Sequence, residues 1–439
     1  MSVRIGTGLS TASDSREAAI EAGVMARGAL GGERCDLAIV FASGLHLAVP
    51  ETLLEAVHEA LMPEQLVGCG AGGVIGPHRE IEEGTAVSIW AAHLGEGSAT
   101  AFHAAVEELE EGAGALTGMP ELDGAAGAIL LADPATFPTD AVLRFLSDST
   151  PMISLLGGLA SGRTGAGALT GMPDLDGAAG AILLADPATF PTDAVLRFLS
   201  DATPMISLLG GLASGRTGTG AVLFMDENVL DEGAVGVRLD GVEMLPCVSQ
   251  GATPIGPELT ITAADGNVIE ELAGRPALVT LRETIEGLPS SELEMVEGGL
   301  LVGIVVDANK PDYVQGDFLV RGLVGADPSS GKVAVAADVH PGQVVRLHAR
   351  DAVSADRDLR EALAVQMTAL GGRAPAGALL FACNGRGRDM FSRPHHDADA
   401  VAEALLDAPA AGFFAAGEIG PVGGEHFLHS FTATIAVFP

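Results

Sequence analysis

Lysine is almost missing from this chain. Only Lys310 and Lys332 are lysines, and 23 basic residues stand against 58 acidic ones, giving a formal net charge of −35. That balance excludes a general binder of nucleic-acid backbones or anionic membranes, because both need clustered cations. The acidity reads as a solvated, self-repelling surface that favours solubility. Cysteine is scarce as well. The residues Cys35, Cys69, Cys247 and Cys383 lie far apart with no Cys-x-x-Cys pair, which argues against a zinc knuckle and a disulfide framework. No run approaches the roughly 20 consecutive apolar residues of a membrane span, and the positive mean hydropathy comes largely from alanine. The opening Met-Ser-Val-Arg-Ile-Gly-Thr-Gly shows no charged-then-apolar leader. The expected location is the cytoplasm.

A length of 439 residues supports two or three domains with a full hydrophobic core. Ser13-Asp-Ser15 offers polar caps for an Ala-rich helix over 16–30, stopped by Gly31-Gly32. The apolar run over 36–42 reads as a buried strand, 52–61 as a helix, and 65–69 as a second strand running into Gly70-Ala-Gly-Gly73. Near the C-terminus the same order returns: a strand over 377–382, the Cys383-Asn-Gly-Arg-Gly-Arg388 loop, a helix over 398–406, a strand over 412–416 and Gly417-Glu-Ile-Gly-Pro421. Phe41-Ala-Ser43 thus corresponds to Phe381-Ala-Cys383. The fold class expected is α/β, with layered strand-helix-strand units in two related halves and antiparallel additions. Residues 1–240 are expected to form one domain and 241–439 the other.

Between the halves, residues 113–165 recur as 166–218, an offset of 166 − 113 = 53, differing only at Glu121 against Asp174 and Ser149 against Ala202. Each copy reads strand, helix (Thr139 to Leu146, Thr192 to Leu199), strand and Gly-Gly-Leu-Ala-Ser-Gly. Two copies fall short of the three or more that a solenoid needs, and near-identity points to a tandem duplication. A contact surface in the fold can be occupied once. One copy is therefore expected to take the integral place while the other forms an extra layer, loops out or swaps with its twin.

The motifs Leu37-Ala-Ile-Val-Phe-Ala-Ser43, Leu66-Val-Gly-Cys-Gly-Ala-Gly72, Phe381-Ala-Cys-Asn-Gly-Arg-Gly387 and Gly412-Phe-Phe-Ala-Ala-Gly-Glu-Ile-Gly-Pro421 together resemble the FIST family, paired FIST N and FIST C domains of signal-transduction proteins. The resemblance covers nearly the whole chain, and the doubled segment departs from it. It implies a sensory module for a small molecule, an amino acid or similar polar metabolite, acting on a downstream signalling protein.

The expected ligand contacts are Asn384, Arg386 and Glu418 with the glycines Gly70, Gly72, Gly385, Gly387, Gly417 and Gly420. Strand-end glycine loops let a ligand approach main-chain N–H groups. Arg386 could grip a carboxylate bidentately, and Glu418 an ammonium. No catalytic residue is assigned. The rival reading is a hydrolase or transferase with Cys383 as nucleophile, His395, His396 or His429 as base and Asn384 as orienter. A third is a protein-interaction scaffold. His395-His396-Asp397 with Glu425-His426 matches no standard ligand spacing, so no metal is expected, and Asp397 reads as a helix cap. Asp133 and Asp186 end strands and are expected to cap turns. Without a Walker lysine or a complete Gly-x-Gly-x-x-Gly, no nucleotide or other cofactor is expected.

Overall fold

The computed structural model describes residues 3–108, 127–132, 155–159, 165–173, 175, 177–202, 206–217, 220–296, 299–306, 308, 310–313, 316–422 and 425–439. The α/β class holds. The helix expected at Thr139 to Leu146 and the turn at Asp133 lie outside the described residues.

Two strand-helix-strand units appear where the apolar runs predict them. Leu37–Ser43 and Gln65–Ala71 pair in parallel around the Pro50–Leu61 helix, as Gly377–Cys383 and Ala410–Ala415 do around His396–Ala404. A third unit of the same plan joins them: Gly180–Ala185 and Ser207–Leu212 pair in parallel around Thr192–Ala202. Each unit is followed by a glycine turn, a hairpin and a strand that returns antiparallel beside the unit's first strand. Those return strands are Ala86–His93, Ala234–Asp240 and Thr432–Phe438. Each return strand is flanked in turn by the strand that opens its unit, Arg4–Ser10, Ser98–Glu108 or Leu245–Gln250.

The hairpins do not stay at home. The 74–81 hairpin of the first unit pairs with Ala410–Ala415 of the third. The 418–429 hairpin of the third pairs with Ser207–Leu212 of the second. The 223–230 hairpin of the second pairs with Gln65–Ala71 of the first. Every sheet is therefore completed by its neighbour in a closed cycle. The inward faces share one core, with Phe41 stacked on Phe413 at 4.9 Å and Trp90 against Phe438 at 5.0 Å.

The abundance of alanine and glycine has a packing use on the outer faces. In the Ser15–Ala29 helix, capped by the Asp14 carboxylate accepting from Glu17 N–H, the buried face is Ala18, Ala19, Ala22 and Ala26. It lies so close to the first strand that a Cβ on Gly6 or Gly8 would come within 2.0 Å of a helix carbonyl oxygen. Helix 352–369 plays the same part in the third unit, where Asp351 accepts from Ser354 N–H. Before that helix, residues 252–350 insert a seven-stranded sheet with its own core. Within this insertion Ser290–Val296 forms a short helix. Among the described residues, no helix is long and apolar enough to cross a membrane.

In the structure the second copy's two strands hold the integral place between Ala234–Asp240 and Glu418–Val422. The first copy's described strands, Gly127–Ala132 and Leu155–Leu159, extend the same sheet at its other end, beyond Ser98–Glu108 and Gly165–Thr170.

Candidate ligand-binding site

The C-terminal ends of the parallel strands bring the three units together. Ser214, in the turn after the second unit, accepts a hydrogen bond from Gly72 N–H of the first at 2.8 Å and donates to Phe414 O of the third. Asn384 lies across from Gly72: its Oδ1 is 3.9 Å from where a Cβ of Gly72 would stand. Gly72, Asn384 and Ala416 are exposed, Ser214, Cys383 and Gly385 half-buried, and Glu418 fully buried. The junction thus grades from an open backbone rim to a buried carboxyl.

Chain geometry explains the placement. Gly377–Cys383 ends where Asn384 N–H donates to Ala415 O and Arg386 N–H to Cys383 O, folding the loop back over its own strand end. Arg350 Nη2 donates to Gly385 O, and its guanidinium lies 4.9 Å from the Phe431 ring centroid. Of the glycines expected to meet a ligand, Gly72 and Gly385 stand at the rim. The other four are packing glycines. A Cβ would meet Leu47 or the Gly215 carbonyl at Gly70, the Glu82 carboxylate at Gly387, Leu212 and Leu428 at Gly417, and Val248 and Thr434 at Gly420.

Arg386 is not an open fork. Its side chain is wholly buried, donating from Nε and Nη2 to the two oxygens of Asp397 at 2.6 and 2.9 Å. Nη1 has no partner within the structure. Burial disfavours both charges, yet Arg386 together with His396 holds the Asp397 carboxyl well below the usual carboxylate range. Asp397 is therefore not the helix cap expected of it. Glu80, reaching over from the first unit's hairpin, accepts from Asp397 N–H and Ala398 N–H, both at 2.9 Å. Burial and the nearby Asp397 charge push the Glu80 carboxyl up to about 7. No sequence signal marked Glu80.

Glu418 accepts from Thr432 Oγ1 at 2.7 Å and from Thr432 N–H at 3.2 Å, while its Oε1 has no partner. Its carboxyl and the Cys383 thiol interact directly, and burial pushes both upward, which keeps the thiol protonated at neutral pH. The histidines that the nucleophile reading requires are engaged elsewhere. His395 Nδ1 accepts from Glu80 N–H, His396 bridges Asp397 and Asp356, and His429 is bonded to Gly420 O. A protonated thiol without a base is a poor nucleophile. Iodoacetamide at pH 7.5 is therefore expected to alkylate Cys383 at least about tenfold more slowly than free cysteine. A labelling rate that already plateaus near pH 7 would show a reactive thiolate instead. Among the described residues, no group of three or more His, Cys, Asp and Glu side chains could hold a metal ion.

Sequence comparison identifies the domains. The FIST N domain model matches residues 36–172 and again 166–275, the second match starting at the first residue of the second copy, and the FIST C domain model matches residues 277–421. An uncharacterized protein of Mycobacterium bovis and another of Mycobacterium tuberculosis are each 40% identical over 439 residues, covering 99% of this chain and 99% of their own. A further uncharacterized M. tuberculosis protein, also 40% identical, matches over 100% of its length. FIST domains are sensory, small-ligand-binding modules of signal transduction. On these matches this chain belongs to the FIST family, with paired FIST N and FIST C domains and an internally duplicated FIST N segment.

Proposed function

We propose that the protein is a cytoplasmic sensor that binds an amino acid or a similarly small polar metabolite over the rim of Gly72, Ser214, Asn384 and Gly385. Cys383 lies beneath the ligand and Glu418 at its floor. The observation that carries this reading is the meeting of all three units at one junction through Ser214, beside the half-buried Cys383, whose thiol contacts the buried Glu418 carboxyl. Glu418 Oε1 is the acceptor for a ligand ammonium, while the exposed side-chain amide of Asn384 suits a carboxylate. Arg386 acts from below as the strut of the loop. Because the rim is drawn from three units, a ligand that bridges them favours one relative arrangement of the units over another. Only such differential contact shifts a conformational equilibrium, and a downstream signalling protein would read the shift.

A thermal-shift panel of the standard amino acids, small amines and small carboxylic acids tests the reading. A ligand present at 100 times its Kd stabilises by about 2.7 kcal/mol, enough to be seen. Glu418 must ionise to hold an ammonium, so affinity is expected to rise with pH, with a proton released on binding. Glu418→Gln is expected to abolish both the response and its pH dependence. A panel without any response, or a response that survives Glu418→Gln undiminished, would sink the proposal.

A further inference from the structure

The two copies of the duplicated segment build the same pair of strands twice. In the second copy Ala181 stands opposite Leu208 and Ala185 opposite Leu212. In the first, Ala128 stands opposite Leu155 and Ala132 opposite Leu159, which is the same register moved by 166 − 113 = 53 residues. Each pair also has an antiparallel neighbour on its leading strand, Ala234–Asp240 beside Gly180–Ala185 and Gly165–Thr170 beside Gly127–Ala132. The difference lies on the trailing strand. Ser207–Leu212 takes the Glu418–Val422 strand, whereas Leu155–Leu159 ends the sheet among the described residues.

We propose that the two copies exchange. Either can fill the slot between Ala234–Asp240 and Glu418–Val422 while the other is carried as surplus strands, so the protein is a mixture of two isomers with one common junction.

Three observations support the exchange. First, every group that the slot uses is present in both copies. Leu212 N–H donates to Gly417 O, Ala416 N–H donates to Leu212 O, and Ser214 ties Gly72 to Phe414. The first copy supplies Leu159 and Ser161 at the same spacing. Second, the two differences, Glu121 against Asp174 and Ser149 against Ala202, fall outside the paired strands, and so leave little energy to favour one copy. Third, the connections allow both arrangements. The surplus copy now sits between residues 108 and 166; in the other isomer it sits between 165 and 220, ahead of the 223–230 hairpin. Lengthening a loop costs little, since closure entropy grows only with the logarithm of length.

The geometry provides a test that needs no ligand. A Cβ on Gly210 would stand 1.8 Å from Leu183 O, a backbone atom that cannot yield. Gly210→Val therefore bars the second copy from the slot, and Gly157→Val bars the first. Each single variant is expected to melt within about 3 °C of the parent, because the other copy takes over, while the double variant loses its cooperative transition. The same Gly157→Val change in a chain lacking residues 166–218 has no substitute copy and is expected to fail as the double does. Either single variant failing as badly as the double overturns the exchange. A folded Gly157→Val variant of the shortened chain overturns the steric basis for it.

Discussion

Asp397→Ala is expected to destabilise the protein by roughly 3–5 kcal/mol, the range for breaking one side of a buried ion pair. The cause is what the change leaves behind. Arg386 cannot reach water, because its side chain is fully buried, and Asp397 occupies two of its nitrogens. No other carboxylate takes the place of Asp397 on those two nitrogens, and burial pushes the nearby Glu418 carboxyl and Cys383 thiol toward their neutral forms. Removing both partners is a different experiment. Arg386→Met with Asp397→Leu is expected to recover most of the loss, since apolar replacements of a buried pair are often neutral or stabilising. Denaturant midpoints of the three proteins decide the matter. A double variant as unstable as Asp397→Ala would mean that the loop needs the pair for more than charge compensation. The pH dependence follows in sign. Asp397 lies below the usual carboxylate range, so the pair's contribution is present at neutral pH and is lost only as pH falls through that depressed value.

Glu80 runs the opposite way. Its folded-state value of about 7 lies above its ordinary value of 4.5, so the stability it confers is fully present below that ordinary value and is lost progressively as pH rises from there through 7. Glu80→Gln keeps an oxygen for the Asp397 and Ala398 N–H groups without ever taking a charge. Relative to the parent it is expected to be close to neutral at pH 5 and more stable by about 2 kcal/mol at pH 8.5. Glu80→Ala lacks the acceptor and is expected to lose about 1–2 kcal/mol relative to the parent at pH 5, as helix caps do, a deficit that closes at pH 8.5, where the parent carries the buried charge and the variant does not. Melting curves of the three proteins at the two pH values check this. A Gln variant less stable than the parent at pH 8.5 would mean that the ionised carboxylate is the form the helix end prefers.

The contrast between these two acids shows what the sequence could and could not reveal. Strands such as Leu37–Ser43 and Gly377–Cys383 were legible because continuous apolar runs ended by glycine are local signals. The correspondence of Phe41-Ala-Ser43 with Phe381-Ala-Cys383 followed from the same pattern. The second unit was masked by the duplication: its strands appear twice in sequence, so neither copy announced itself as the partner of the other two units. Pairings between a hairpin and a strand of another unit are long-range and leave no periodicity. Glu80 belongs to such a hairpin, so nothing near it in sequence pointed to a helix end more than three hundred residues away. Arg386 and Glu418 were recognised as special, but their burial follows from packing across units. The rim residue Ser214 stood in a motif already noticed, without a role until Gly72 and Phe414 were seen on either side of it.

The cycle of crossing hairpins also sets a timetable for synthesis. The first unit emerges with its hairpin committed to Ala410–Ala415, a strand more than three hundred residues further along the chain. Its own sheet waits for residues 223–225. The second unit in turn waits for Glu418–Val422. None of the three units can close its sheet from its own residues, so a nascent chain carries an unpaired strand edge until residues 410–422 have been made. Folding domain by domain from the N-terminus is the usual course for long chains, and exposed edges are its usual hazard. Here the hazard lasts over more than three hundred residues of synthesis, and the strong negative charge that favours dispersal of the folded protein also keeps those waiting edges apart.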